Sequence, residues 1–261
     1  MKILMIGDII GQPGRTAVAA MLEKIIMNYQ IDFTIANGEN AAGGVGITEP
    51  IAIDLFALGI DVLTMGNHVW DKKEIYEYLS REPRIIRPMN YPGNPPGRGS
   101  GIFTTNKGSK IGIINASGRV FMNQLDCPFR SLEKEATVIK KDTPIIIVDF
   151  HAEATSEKVA MGWHLDGKVS AVIGTHTHVQ TADERILPNR TAYITDVGMT
   201  GPINSVIGVE TSSVLERFLT QMPVRFSVAK GDMILSAVVI DIDPLTGESL
   251  SIERIYEYLP D

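Results

Sequence analysis

Three times before residue 70 the chain repeats one figure: a short apolar run, a break at glycine, and a side chain that can bind metal or move a proton. Residues 2–6 run into Gly7-Asp8, residues 32–36 into Gly38-Glu39-Asn40, and residues 60–65 into Gly66-Asn67-His68. Apolar runs bounded by glycine read as buried strands. Between them, 15–29 carries Val18, Met21, Ile25 and Ile26 at helical spacing, with Gly11, Pro13 and Gly14 read as the turn before it. A second helix, 51–58, follows Thr48 as its N-cap and Pro50 as an early helical residue. Successive strand–loop–helix units predict an α/β layered fold with parallel pairing, because parallel neighbours need a crossover. In such sheets ligands bind beyond the carboxyl ends of the strands.

The rest of the chain extends this pattern. Strands are expected at 101–105, 110–115, 143–150 and 169–173, and helices at 130–136 and 154–164, the latter with Thr155 or Ser156 near its cap. The run at 143–150 ends at His151, and that at 169–173 leads into Gly174-Thr175-His176-Thr177-His178. Later strands are expected at 191–194, 224–228 and 232–242, with a helix at 212–220. This late strand-rich stretch predicts a second sheet with antiparallel edges. Residues 87–101 hold four prolines and four glycines and read as a long surface loop with a functional role. No repeat or composition break divides the chain, so residues 1–261 are read as a single domain.

The two histidines of His176-Thr177-His178 would lean to one side of an extended backbone and invite one metal or two. Taken alone, the pair reads equally as solvated loop histidines. The chain has only five histidines, however, and His68 and His151 also follow strand-like runs. The one cysteine, Cys127, excludes an internal disulfide and a Cys-rich zinc site, and reads as an inert thiol before Pro128. A net charge of -7 argues against a broad nucleic-acid surface but admits a small nucleotide in a locally cationic pocket. No stretch approaches the roughly 20 apolar residues of a membrane span. Residues 1–6 are too short for a signal peptide, so a soluble cytoplasmic protein is expected.

Eight polar residues thus end five strands: Asp8, Glu39, Asn40, Asn67, His68, His151, His176 and His178. Mixed oxygen and nitrogen donors suit iron, manganese or zinc better than calcium. The set is large enough for two metals if one carboxylate bridges. Two-metal sites drive in-line displacement at phosphorus, lowering the pKa of a bound water and clamping phosphoryl oxygens from about 3.5–4 Å apart. The leaving oxygen still needs a proton, which a nearby histidine can give.

In order, Gly7-Asp8, Gly38-Glu39-Asn40, Gly66-Asn67-His68, His151 and Gly174-Thr175-His176-Thr177-His178 resemble the five signature blocks of calcineurin-like metallophosphoesterases. The resemblance runs from residue 7 to 178 and is nearest to the bacterial YmdB-like branch, described as 2',3'-cyclic-nucleotide phosphodiesterases. Two departures from the wider superfamily fit that branch: Asp8 is followed by Ile9-Ile10, with no Asp-x-His, and Glu39 stands where a bridging Asp is usual. The resemblance implies a four-layer α-β-β-α sandwich, two mixed sheets flanked by helices, with metals at one edge. It implies that Asp8, Asn40 and His178 hold a first metal, Asn67, His151 and His176 a second, and that Glu39 bridges. His68 would be the general acid. Iron or manganese is the expected metal.

The expected activity is hydrolysis of 2',3'-cyclic nucleotides, and of 3',5'-cyclic nucleotides or other small phosphodiesters, by a metal-bound hydroxide. A phosphomonoesterase or other metallohydrolase on the same site, and a regulatory nucleotide-binding protein, are the alternatives. Partners are a small nucleotide or phosphodiester substrate and no membrane; a homo-oligomer is left open.

Other residues are weighed against plainer roles. His164 is read as a helix-end or surface histidine, and Arg119 as a surface salt bridge rather than a phosphate contact. Asp149 is either a positioning partner of His151 or a capping or solvated residue. Gly7-x-x-x-Gly11-x-x-Gly14 has the wrong spacing for a dinucleotide fingerprint. Gly43, Gly44 and Gly46 either cradle a phosphate or allow a tight loop.

Overall fold

Alternate side chains of a strand point to opposite faces, and here the two sets enter different cores. In β1 (Lys2–Ile6), Ile3 and Met5 pack into one, Leu4 and Ile6 into another. The computed structural model describes residues 1–260. After β1 come β2 (Asp8–Ile9), α1 (Gly11–Tyr29), β3 (Phe33–Asn37), α2 (Glu49–Ala57), β4 (Val62–Thr64), a 3-10 turn (Asn67–Trp70), α3 (Ile75–Arg81) and β5 (Ile85–Ile86). The middle of the chain supplies β6 (Ser100–Thr104), β7 (Lys110–Ser117), α4 (Pro128–Ile139), β8 (Ile146–His151), α5 (Thr155–Leu165) and β9 (Ala171–Thr175). Last come β10 (Arg185–Ile186), β11 (Ala192–Ile194), β12 (Met199–Pro202), α6 (Thr211–Thr220), β13 (Met233–Ile242) and β14 (Ser249–Leu259).

The first sheet runs β2-β12-β13-β1-β3-β4-β5, with β14 also on β13. Its β1, β3, β4 and β5 are parallel, as the repeated strand–loop–helix figure requires, while β13 lies antiparallel to β1. The second sheet runs β10-β11-β9-β8-β7-β6, parallel within and antiparallel at both edges. Ile3, Ile35 and Val62 meet Ile113, Ile147 and Ile173 between the sheets. Outside the first sheet, Leu4 and Leu63 pack on Val18, Leu22 and Leu55 of α1 and α2. Outside the second, Val148 and Phe150 pack on Leu132 and Met161 of α4 and α5. Each such buried side chain contributes about 1.5–3 kcal/mol. The result is the expected four-layer α-β-β-α arrangement.

Several expectations are corrected. Gly11, Pro13 and Gly14 form no separate turn but belong to the start of α1. Proline is tolerated there because first-turn N–H groups have no helical partner, and a side chain at Gly14 would strike the Thr200 carbonyl. Residues 224–228 are not a strand; Val228 alone makes an isolated bridge, to Val209. The reason is that β13 is already flanked, by β14 on one side and β1 with β12 on the other. Conversely, β14 was not expected, since it carries exposed charges on both faces, Glu253 and Glu257 on one and Arg254 on the other, which masks the alternation. With β12 and β13 it joins the first sheet rather than the second. The loop beyond residue 87 is braced internally, with the Arg87 guanidinium donating to the carbonyls of Pro88, Pro95 and Pro96. No helix among the described residues is long and apolar enough to cross a membrane.

Candidate metal centre

The carboxyl ends of β1, β3 and β4 in one sheet and of β8 and β9 in the other meet along one edge. Asp8, Glu39, Asn40 and His151 are buried there, and Asn67, His68, His176 and His178 are half-buried. All eight residues expected from the sequence are thus near one another. Glu39 lies at the centre. Its Oε1 is 3.0 Å from His151 Nε2 and 3.3 Å from Asn40 Nδ2, and its Oε2 accepts from the backbone N–H of His68 at 3.0 Å.

Each of three histidines is turned by an acceptor behind it. Thr175 Oγ1 donates to Asp149 at 2.7 Å, so it must accept from His151 Nδ1 at 2.9 Å. His178 Nδ1 donates to the Ile207 carbonyl at 2.9 Å, and His176 Nε2 faces the Glu153 carboxylate at 3.1 Å. With the outer nitrogen protonated, the neutral ring keeps a lone pair on the inner one. Those inner atoms converge. His151 Nε2 lies 3.0 Å from both His176 Nδ1 and Asn67 Oδ1, and His178 Nε2 lies 3.3 Å from Asn40 Nδ2 and 3.8 Å from Asp8 Oδ1.

This donor set fits metal ions. Glu39, His151 and His176 each offer an atom within 4.8 Å of the others. Asp8 Oδ1 is buried with no hydrogen-bond partner, an expensive arrangement for a carboxylate unless a cation compensates. One proton on His151 Nε2 cannot serve Glu39, Asn67 and His176 at once. Ligation by Asn40 would need a half-turn of its amide, whose Nδ2 faces Glu39 and His178.

The protein's own charges are tightly coupled. Burial pushes the Asp8 carboxyl up to about 7, against the pull of His178 and His151. Burial would also raise Glu39, but His151 and His68 hold it at about 2. Burial works against a charged His151, yet Glu39 carries it up to about 9. Burial, then His151, pushes His176 down to about 3. A cation taking the His151 Nε2 lone pair would displace that proton.

His68 differs from the other three. Its backbone, not its ring, touches Glu39, and its Nδ1 pairs with Asp71 Oδ2 at 2.6 Å. The backbone of the His-x-His loop is not extended as expected, since His176 and His178 have φ of 100° and 66°. Such values are strained for non-glycine residues and cluster at functional sites. Thr177 holds the loop down, donating through N–H and Oγ1 to Asp196 at 3.0 and 2.7 Å. Asp196 is itself buried and paired with Lys158 at 2.6 Å.

Glu153, Asp71, Asp196 and the Ile207 carbonyl were not foreseen. Asp71 could have been found, three residues after His68, and Glu153, two after His151; the others come from distant segments. Asp149 proves to support His151 through Thr175. Arg119 makes no side-chain ion pair among the described residues; its backbone N–H binds Glu157 at 3.1 Å. His164 sits in α5, 3.6 Å from Glu133.

Gly43 and Gly44 line the cleft beside the histidines, a space of about 470 Å³ with Val45, Ile207, Phe226 and Val228 as its apolar wall. No residue of the long proline-rich loop lines it.

Gly66 is required by close approach. A Cβ there would collide with Glu39 Oε2 and His151 Nε2. Gly66→Ala is expected to destabilise the fold by about 1–3 kcal/mol, the usual range for overpacking, and to lower metal content. Melting and elemental analysis check this; an unchanged protein on both counts contradicts it.

The sequence matches the family described as YmdB-like protein over residues 4–255. It is 52% identical over 255 residues to the 2',3'-cyclic-nucleotide 2'-phosphodiesterase of Bacillus subtilis (strain 168), covering 98% of this chain and 96% of that one. A hypothetical protein from Thermus thermophilus, of known crystal structure, has a TM-score of 0.93 at 40% identity, with 100% of both chains covered. The crystal structure of a novel phosphatase from Mycoplasma pneumoniae gives 0.94 at 35% identity, covering 100% of this chain and 94% of that one. Motifs, layers and whole-length similarity agree: the chain belongs to the YmdB-like family of metallophosphoesterases.

Proposed function

We propose that the protein is a metal-dependent phosphoric diester hydrolase acting on 2',3'-cyclic nucleotides and other small phosphodiesters. The observation that carries this reading is the inward convergence of three imidazoles, each backed by an acceptor, on Glu39 and the unpartnered Asp8 oxygen. The Bacillus subtilis relative bears the corresponding name.

Asp8, Asn40 and His178 would hold one ion, and Asn67, His151 and His176 the other. Glu39 reaches both groups through one oxygen, within 3.3 Å of Asn40 and 3.0 Å of His151, which supports a bridging role. Ions held there, with iron or manganese expected, would lower the pKa of a water and neutralise the phosphoryl oxygens. The protein's own part is to place the diester. Asp71 accepts from His68 Nδ1–H at 2.6 Å, so a ring protonated on both nitrogens would be held with Nε2–H free to pass its proton to the leaving ribose oxygen, ending as the neutral Nδ1–H imidazole. The reading takes residues 1–261 as one unit working in the cytoplasm, where small nucleotides are found.

A second reading, phosphomonoesterase, is favoured by the name of the Mycoplasma pneumoniae relative. A panel of cyclic nucleotides, open diesters and monoesters, run with metal analysis, separates the two. Purified protein is expected to carry about two transition-metal ions per chain, to lose activity on chelation, and to regain it with Mn²⁺ or iron. Elemental analysis of fully active protein showing no metal overturns the proposal. Tight nucleotide binding with negligible turnover would select a regulatory role.

A further inference from the structure

Beside the metal cleft lies a second hollow of about 620 Å³, and the two share Gly43, Phe226, Ser227 and Val228. The divide between them is the irregular segment where a strand was expected. Arg225 and Lys230 line the second hollow, together with Gln12 and Thr16 of α1. No carboxylate lines it, although the chain has 31 acidic residues against 24 basic ones. Neither cation has an ion pair or side-chain hydrogen bond among the described residues, and both are exposed. Phe226, half-exposed at 50%, stands on the shared rim.

A lone exposed arginine or lysine is ordinarily just solvated surface. Two unpartnered cations in a hollow that opens onto a phosphodiester site, across an aromatic ring, have a more specific match. A nucleotide whose phosphodiester lies at the histidines carries its 5'-oxygen on the other side of the ribose. We propose that the second hollow is a subsite for a phosphate on that 5'-oxygen, held by Arg225 and Lys230, with the base stacked on Phe226. Guanidinium and ammonium groups both bind phosphate oxygens, and an aromatic face accepts any base. This proposal rests on the phosphodiesterase reading and sharpens it: the preferred substrate is 5'-phosphorylated. That phosphate belongs either to a mononucleotide or to the penultimate link of an oligoribonucleotide end.

The test compares kcat/KM for adenosine 2',3'-cyclic phosphate with a free 5'-hydroxyl, its 5'-phosphorylated form, and a diadenosine ending in a 2',3'-cyclic phosphate. Both substrates bearing the 5'-phosphate are expected to be better by about tenfold, the lower range for a charge-assisted hydrogen bond. The advantage should sit mainly in KM and shrink with added salt. In the double variant Arg225→Ala/Lys230→Ala the ratio should fall to near one. A dinucleotide better than the phosphorylated mononucleotide identifies an RNA end as the source; equality identifies the free nucleotide. A ratio near one in the unaltered protein, or one that survives the double substitution, overturns the subsite. Calorimetric binding of adenosine 3',5'-bisphosphate against adenosine 3'-phosphate reads the same contact without turnover. Failure to hydrolyse any of the three substrates therefore counts against the phosphodiesterase reading, while the binding ratio still decides the subsite.

Discussion

Glu39→Gln is expected to strip the protein of bound metal and lower turnover by more than about 10²-fold, beyond the 10–100-fold usual for a residue that only orients a ligand. The substitution changes charge while nearly preserving shape. A glutamine oxygen can still accept from the His68 N–H, so the loop after β4 keeps its anchor. What disappears is the one buried negative charge lying between the Asp8–Asn40–His178 group and the Asn67–His151–His176 group. Two cations a few ångströms apart repel strongly in a poorly screened interior, and Glu39, held ionised by His151 and His68, is placed to offset that repulsion. Asn40→Ala, by contrast, should mainly weaken one site. Metal content per chain and kcat, measured on the same preparations, decide between them. A Glu39→Gln protein with two metals and normal turnover moves the bridge elsewhere.

The side chains that gather in the cleft were legible in the sequence because strand ends are. An apolar run stops where the sheet's edge meets the site, and the next polar residue sits in the cleft. Asp8, Asn67 and His151 follow from that rule alone, while Glu39 and His176 lie two residues and one residue past the first polar side chain, Asn37 and Thr175 respectively, and stand out by residue type. The groups that turn the imidazoles were less legible. The Ile207 carbonyl belongs to a loop far along the chain, and a backbone acceptor carries no signature of residue type. Asp196 reaches the His-x-His loop from the turn after β11, across 19 residues of sequence. The expected strand at 224–228 fails for a related reason. Its alternating, β-prone residues satisfy local preference, but strand pairing needs a free neighbour, and β13 has none. Paired only by the single bridge from Val228 to Val209, the segment instead forms the wall between the two hollows.

His68→Ala is expected to keep both metals and lose kcat by roughly 10²–10⁴, the usual worth of a positioned acid. The geometry makes these effects separable. The contact to Glu39 runs through the His68 backbone N–H, which alanine retains, and none of the close contacts among the converging inner nitrogens and oxygens involves its ring. His151→Ala and His176→Ala, in contrast, each remove an inner nitrogen and should lose metal. The loss in His68→Ala should depend on the leaving group. A ribose alkoxide is a strong base and needs a proton as it departs, so a cyclic nucleotide should suffer most. A nitrophenolate leaves unaided, so an aryl phosphodiester should suffer far less. Asp71→Asn tests the same proton from behind. It removes the carboxylate 2.6 Å from Nδ1, and as a positioning residue it should shift the pH profile for the cyclic substrate while leaving the aryl substrate nearly flat. A structural role for His68, as a cap on the 3-10 turn, predicts equal losses on both substrates with a lower melting temperature. Measuring kcat on each substrate together with metal content and melting therefore separates the two, and equal losses or a missing metal would remove His68 from the role of acid.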